Sequence, residues 1–441
     1  MKLFYALVIL LFSYSCSFDN KTGIWKNENI IIKDQTNQFE GFKSLSSTEE
    51  TFNKIIPIRN KFIFSLTRNT SPNKWTDKYY SDSNNFDNFE FEYLNKLSFR
   101  SKKISKYNLN DTLLLEEGNV ITSDQKGNLL IFSISQNKIK LKFNFYKKQY
   151  KKLKKILNLI VENNVVYVSD NLGYLYAYNY KTEKLLWAKN YKVPFRSNLK
   201  IKKNKLIAIN QNNTLLFFKK TSGEILRSIP TEEVILKNKF TGNISVSDEY
   251  IFFLNTYGTL YAVRSDSMQI SWFLNLNQSK NFKDKSMFKG SEIIYKNGKV
   301  LILSNKFTYV VNSKNGTIIF KKNFSSPIKP IISNNYVFIL SKNSLLISFN
   351  FINGNIIYSY DINKLIADFL KTEKNEVKPK NVIIANNKLF IFLENSYFLK
   401  VGLDGAIEKI SKLPDKIVSY PIFINKSLLY LNNKNKISVV Y

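Results

Sequence analysis

The side chains that ordinarily carry out chemistry are scarce in this chain. Histidine does not occur among its 441 residues, and cysteine occurs once, at Cys16. Ser-His-Asp triads, Cys-His pairs and zinc sites built from His and Cys are therefore excluded, and no internal disulfide can form. Paired carboxylates occur at Glu49-Glu50, Glu116-Glu117 and Glu232-Glu233. Two acids facing each other could act as general acid and base. Neighbours in sequence, however, point apart on a strand and sit freely on a turn, so these pairs read as solvated loops. Trp187 and Trp272 could stack on a flat cofactor, but both hold a fixed place in a unit that recurs along the chain, which makes them packing residues of the core. No catalytic residue, cofactor or metal site is expected.

The elements that would position any site follow from composition. Aromatic residues make up 15% of the chain and apolar residues 44%, which points to a packed, β-rich interior rather than disorder. The net charge is +32, and such a balance can mark an anionic partner. Lys and Asn recur throughout, as in Asn432-Asn433-Lys434-Asn435-Lys436, so the charge reads as a bias of the whole sequence and no nucleic-acid partner is expected. The densest cluster, Lys147, Lys148, Lys151, Lys152, Lys154 and Lys155, falls between two predicted strands. It reads as a solvated loop, with anionic lipid headgroups or an acidic partner as the alternative.

At the N-terminus, Lys2 precedes ten apolar residues, Leu3 to Phe12, followed by Ser13-Tyr14-Ser15-Cys16 and a polar stretch. This is the layout of a signal peptide, and the apolar run is too short to span a bilayer as a helix. Small residues followed by the sole cysteine resemble a bacterial lipoprotein lipobox. That resemblance implies acylation of Cys16 and a protein held on a membrane surface without crossing it.

An internal repeat organises the rest. Its clearest copy runs Asn164-Val-Val-Tyr-Val-Ser-Asp-Asn-Leu-Gly173-Tyr-Leu175-Tyr-Ala177-Tyr178, then Thr182-Glu-Lys-Leu-Leu-Trp187: apolar strand, turn, alternating strand, turn, strand. Anchored on the first turn, eight copies place Gly127, Gly173, Asn213, Gly258, Lys306, Ser344, Ser396 and Asn435 in register. Gly, Asn or Ser at seven of the eight suits a tight hairpin with positive φ. Positions two, five and fourteen residues past the anchors are apolar except Thr308 and Arg227. Anchors recur about every 44 residues, enough for four short strands and their turns. The expected fold is all-β: an eight-bladed β-propeller with four antiparallel strands per blade. The last copy stops before a fourth strand, so an N-terminal strand must close the ring. The alternating Phe89-Glu90-Phe91-Glu92-Tyr93 is the predicted closing strand. The expected division is a lipoprotein signal peptide over 1–16, an extended tether over 17–75 and the propeller over 76–441.

The Val-Tyr-Val, Gly-x-Leu-Tyr-Ala and Thr-Glu-Lys-Leu-Leu-Trp187 pattern, repeated by Gly258-Thr-Leu-Tyr-Ala262 with Trp272, resembles the pyrroloquinoline-quinone-type propeller repeat. That repeat occurs in quinoprotein dehydrogenases and in BamB-like lipoproteins of the outer-membrane β-barrel assembly machinery. The single cysteine and the signal peptide ending at Cys16 favour the latter. The resemblance implies a non-catalytic scaffold at the periplasmic face of the outer membrane, monomeric within a hetero-complex. It also implies docking on the periplasmic domains of the barrel-forming protein (BamA-like), through a loop at about 233–240 with Ile235, Leu236 and Lys237 as contacts. A second implied contact falls near Met287, Phe288 and Lys289. The alternatives are a quinone-dependent periplasmic oxidoreductase and a generic ligand-binding propeller.

Overall fold

A computed structural model describes residues 16–18, 25–27, 51–59, 62–93, 96–232, 242–277, 288 and 292–441. Two short strands, Cys16–Phe18 and Trp25–Asn27, pair antiparallel in a unit of their own. From Thr51 onward the described residues form eight four-stranded antiparallel sheets, the expected eight-bladed β-propeller. Blades 1 to 7 are up-and-down meanders over 114–143, 157–190, 200–229, 243–275, 294–322, 331–361 and 379–412. Blade 8 takes three strands from 422–440 and its outer strand from Leu97–Arg100. Among the described residues no helix is long and apolar enough to cross a membrane.

Alternation of strand direction puts the hairpins between strands one and two, and between three and four, at one end of every blade. The turns between strands two and three, with the crossings to the next blade, lie at the other. These are called the hairpin end and the loop end. The one α-helix among the described residues, Ile362–Leu370, occupies the crossing from blade 6 to blade 7. The Asp361 carboxylate caps it, accepting from the amides of Asn363 and Lys364, a start signal that the strand-based reading passed over.

Inner strands are buried on both faces, whereas outer strands alternate between half-buried and exposed residues. This is what radial packing requires, because only the rim meets water. Seven of the eight anchors have positive φ, from 57° at Asn435 to 89° at Gly173. The sequence does not predict the device that sets these turns. Three residues ahead of the anchor, a side-chain oxygen accepts two backbone amides: Asp124 from Lys126 and Asn128, Asp170 from Leu172 and Tyr174. Asn210, Asn255 and Asn432 do the same. Lys306, the exception without positive φ, sits in a turn held instead by Ser304 Oγ. An acceptor at that place fixes the loop locally, without a partner from elsewhere.

Trp187 and Trp272 are half-buried rather than central, and they lock neighbouring blades together. Trp187 Nε1 donates to the Lys220 carbonyl of blade 3 (3.1 Å), and Trp272 Nε1 donates to the Ser313 carbonyl of blade 5 (3.0 Å). Each ring covers a turn glycine of the next blade: a Cβ on Gly223 would lie 2.6 Å from Trp187, and one on Gly316 would lie 2.6 Å from Trp272. Both glycines also have positive φ, 72° and 74°.

The closing strand differs from expectation. Leu97–Arg100, not 89–93, pairs antiparallel with Ile437–Val440. Within the stretch expected as an extended tether over 17–75, the described residues pack on the ring from Phe52 onward. Ile56 and Ser359 exchange two backbone hydrogen bonds on the outer strand of blade 6. Phe64 lies against Tyr336, Phe338 and Tyr358.

Replacing Gly316 with Val forces a β-branched side chain into both a left-handed backbone and the Trp272 ring. The expected cost is about 2 to 4 kcal/mol, summing strain and overpacking, read as a lowered urea midpoint. The same change at Gly298, where no atom lies within 4 Å of a built Cβ, shows the backbone part alone.

Candidate functional site

The hole at the centre of a propeller is the natural place for a ligand, and here residues 75–92 fill its hairpin end. The segment touches the inner edge of all eight blades in turn. Trp75 exchanges backbone hydrogen bonds with Leu115 of blade 1, and the Thr76 carbonyl accepts from the Val161 amide of blade 2. Lys200 of blade 3 reaches Asp77. The Asp82 and Ser83 carbonyls accept from Val246 of blade 4 and Tyr295 of blade 5. The Asn85 amide group donates to the Ile332 carbonyl of blade 6, Phe89 donates to the Ile384 carbonyl of blade 7, and Glu92 donates to the Lys426 carbonyl of blade 8. Inner strands have one unpaired edge each, and buried backbone groups without partners are costly, so the segment supplies what the geometry leaves open. Trp75, Phe86, Phe89 and Phe91 are all at most 3% exposed. Phe89 stacks on Phe423, and Trp75 packs on Phe86 and Phe89.

Above this plug the hole carries charge. Lys200 Nζ lies 2.8 Å from Asp77 Oδ2 and also donates to the Ser81 carbonyl at 3.1 Å; it is fully buried. Lys78 pairs with Asp111 at 2.8 Å. Burial would raise the Asp111 pKa, but the Lys78 ammonium outweighs it and holds the carboxyl below its usual range. The Tyr79 hydroxyl donates to Glu292, and Tyr79 meets Tyr420 edge to face. Lys329 is 2% exposed and finds no hydrogen-bond acceptor among the described residues. Its Nζ lies 3.6 Å from the centre of the Phe86 ring. Burial pushes this ammonium down to about 7, opposed by Glu292 and reinforced by Lys200. Among the described residues no group of three or more acidic, His or Cys side chains could hold a metal ion.

Of the acids singled out from sequence, Glu116 and Glu232 are tied down, Glu117 is exposed, and Glu49, Glu50 and Glu233 lie outside the described residues. Glu116 accepts from the Asn164 amide and the Tyr180 hydroxyl. Glu232 accepts from Thr259, Tyr261 and Asn255. Both stitch one blade to the next, and burial next to these carboxylates raises the Tyr180 and Tyr261 pKa values. Ile235, Leu236 and Lys237 belong to the crossing from blade 3 to blade 4 and lie outside the described residues, as do Met287 and Lys289. Phe288 is buried, its ring against Gly258, so it is a packing residue. The Cys16 side chain is also outside the described set. The plug and its buried lysines escaped the sequence reading, which took 89–93 for a rim strand. The one available signal was the density of aromatics between Trp75 and Tyr93.

These features define a propeller of the PQQ-repeat class. A family profile described as outer membrane protein assembly factor BamB matches residues 148–360, which span blades 2 to 6. The crystal structure of BamB from Moraxella catarrhalis superposes with a TM-score of 0.61 at 12% identity, covering 78% of this chain and 99% of that one. Over those five blades the chain is similar to BamB. A europium-containing methanol dehydrogenase superposes with a TM-score of 0.62 at 11% identity, covering 83% and 89% of the two chains. Quinohemoprotein alcohol dehydrogenase from Comamonas testosteroni gives 0.61 at 10% identity, covering 83% and 80%. At these identities the likeness is one of fold. No curated protein sequence matches the chain.

Two outcomes test the plug. Asp77→Ala strands the Lys200 charge in the interior and is expected to cost about 3 to 5 kcal/mol, whereas the double change Asp77→Ala with Lys200→Met recovers most of that in urea unfolding. Lys329 titrates near 7 when folded but near 10.4 when unfolded, so between those values the unfolded chain binds a proton the folded one lacks. Stability therefore rises with pH from about 7 to 10 through this group. Lys329→Met is expected to remove that slope and to raise Tm at pH 7.

Proposed function

We propose that the protein is a non-catalytic scaffold of the machinery that folds and inserts β-barrel proteins into the outer membrane. In this reading residues 1–16 are a lipoprotein signal peptide, and acylated Cys16 holds the chain at the periplasmic face of that membrane. The crossing with Ile235, Leu236 and Lys237 docks on the barrel-forming partner. The observation that carries the reading is the BamB profile match through five consecutive blades, which includes that crossing. The plug adds a physical argument. The hairpin end of the central hole is filled by the chain's own aromatic residues, so binding falls to the loops, which a rigid ring can vary at little cost.

The fold likeness to methanol and alcohol dehydrogenases favours a second reading, a quinone-dependent oxidoreductase. It would need room for a flat cofactor among Lys329, Glu292 and Tyr420, where Phe86 and Tyr79 already pack.

The test is affinity capture from envelope membranes. The wild-type chain is expected to bring down the barrel-forming protein. Ile235→Asp with Leu236→Asp and Lys237→Glu is expected to lower recovery at least tenfold at unchanged Tm, and Cys16→Ser to move the chain out of the membrane fraction. Capture without that partner, but with a bound quinone, would replace the scaffold reading with the second one.

A further inference from the structure

The carboxylates of the ring are distributed unevenly between its two ends. At the hairpin end, exposed acids such as Glu183, Glu224, Asp248, Asp266, Asp404 and Glu408 interleave with lysines. At the loop end of blades 8, 1 and 2 three acids, Asp124, Asp170 and Asp415, are turned inward. Asp124 and Asp170 are fully buried in their turns. Asp415 is buried against Arg100 at 2.6 Å and Lys434 at 3.2 Å, whereas Asp111 is exposed and paired with Lys78 at 2.8 Å. The lysines between them face water: Lys106, Lys148, Lys151, Lys152, Lys154 and Lys434 are exposed. A chain-wide lysine bias explains the number of cations, not the burial or pairing of each carboxylate at this one surface.

The surface also has shape and an apolar component. A cavity of about 330 Å³ is lined by Lys106, Lys126, Lys152 and Lys154 with Tyr107 and Leu153. The ammonium groups of Lys106 and Lys126 lie 5.3 and 5.6 Å from the Tyr107 ring, and Lys126 donates to the Lys151 carbonyl at 3.1 Å, tying the loop down. Lys155, unlike its neighbours, is buried and donates to the Tyr150 carbonyl. It acts as the internal strut of the loop. On either side of it Leu153 and Ile156 stand 47% and 45% exposed. Apolar tips flanked by lysines suit a boundary with headgroup phosphate on one side and acyl chain just beneath.

We infer that the loop end of blades 8, 1 and 2 is a docking face for an anionic phospholipid bilayer, with Lys106, Lys126, Lys152 and Lys154 cradling headgroup phosphate and Leu153 and Ile156 entering the interface. The face is separate from the 233–240 crossing, so a partner docked there and a bilayer docked here do not compete for the same residues.

The test uses the full chain with Cys16→Ser, so that no acyl group contributes, and vesicle flotation. Binding to vesicles of 30% phosphatidylglycerol in phosphatidylcholine is expected to exceed binding to pure phosphatidylcholine at least tenfold at 0.1 M salt, and to collapse at 0.5 M. Lys151→Glu with Lys152→Glu and Lys154→Glu should lose that binding at unchanged Tm, and Leu153→Ser with Ile156→Ser should weaken it severalfold. Lys181→Glu with Lys184→Glu, at the hairpin end of blade 2, should leave it intact. Equal binding to both vesicle types, or equal loss from the hairpin-end control, would overturn the inference. So would loss of an acidic protein from the triple variant in envelope capture while its vesicle binding persists. Capture of the barrel-forming protein by the triple variant keeps this outcome separate from the scaffold reading.

Discussion

Eight inner strands meeting around a hole leave eight unpaired edges in the driest part of the ring, and the structure rests on how those edges are satisfied. Residues 75–92 answer with backbone and side-chain hydrogen bonds to every blade and with five aromatic rings at most 3% exposed. A fully buried aromatic side chain contributes roughly 2 to 3 kcal/mol, so the plug is a substantial part of the core. It also links the chain entering the ring to every blade that follows, and only a few residues later Leu97–Arg100 closes blade 8. Plug and closing strand act together: one ties the blades at their inner edge, the other joins first to last at the rim.

The second organising contact is between neighbours. A tryptophan on one outer strand covers a positive-φ glycine on the next blade and donates to a carbonyl beside it. Local turn acceptors such as Asp124 and Asn255 hold each hairpin independently. Turns are fixed within a blade and interfaces pairwise, so the exposed side chains of the loop end are free of structural duty. They carry a lysine-rich face on blades 8, 1 and 2 without disturbing the ring.

The sequence by itself determined the fold class. Period-two apolar strands, turn residues at the anchors and a repeat near 44 residues leave few architectures. Those features are legible because they depend on short-range steric and solvation rules that each repeat states again. The absence of histidine and the lone cysteine likewise removed whole classes of chemistry without any coordinates.

What only the tertiary structure decided is where the non-repeating residues go. Phe89-Glu90-Phe91-Glu92-Tyr93 has the alternation of a rim strand, yet it starts in the hole at Phe89 and passes to Tyr93 against blade 7, because pairing with several blades at once satisfies more backbone and apolar surface than one edge can. Glu116 and Glu232 look like free turn acids and are ties between blades, since their partners Tyr180 and Tyr261 are 64 and 29 residues away. The inward turn of Asp124, Asp170 and Asp415 among outward lysines is equally invisible in one dimension. Local pattern fixes which way a strand alternates; which surface it meets is a competition among distant surfaces, and it is settled only when the ring closes.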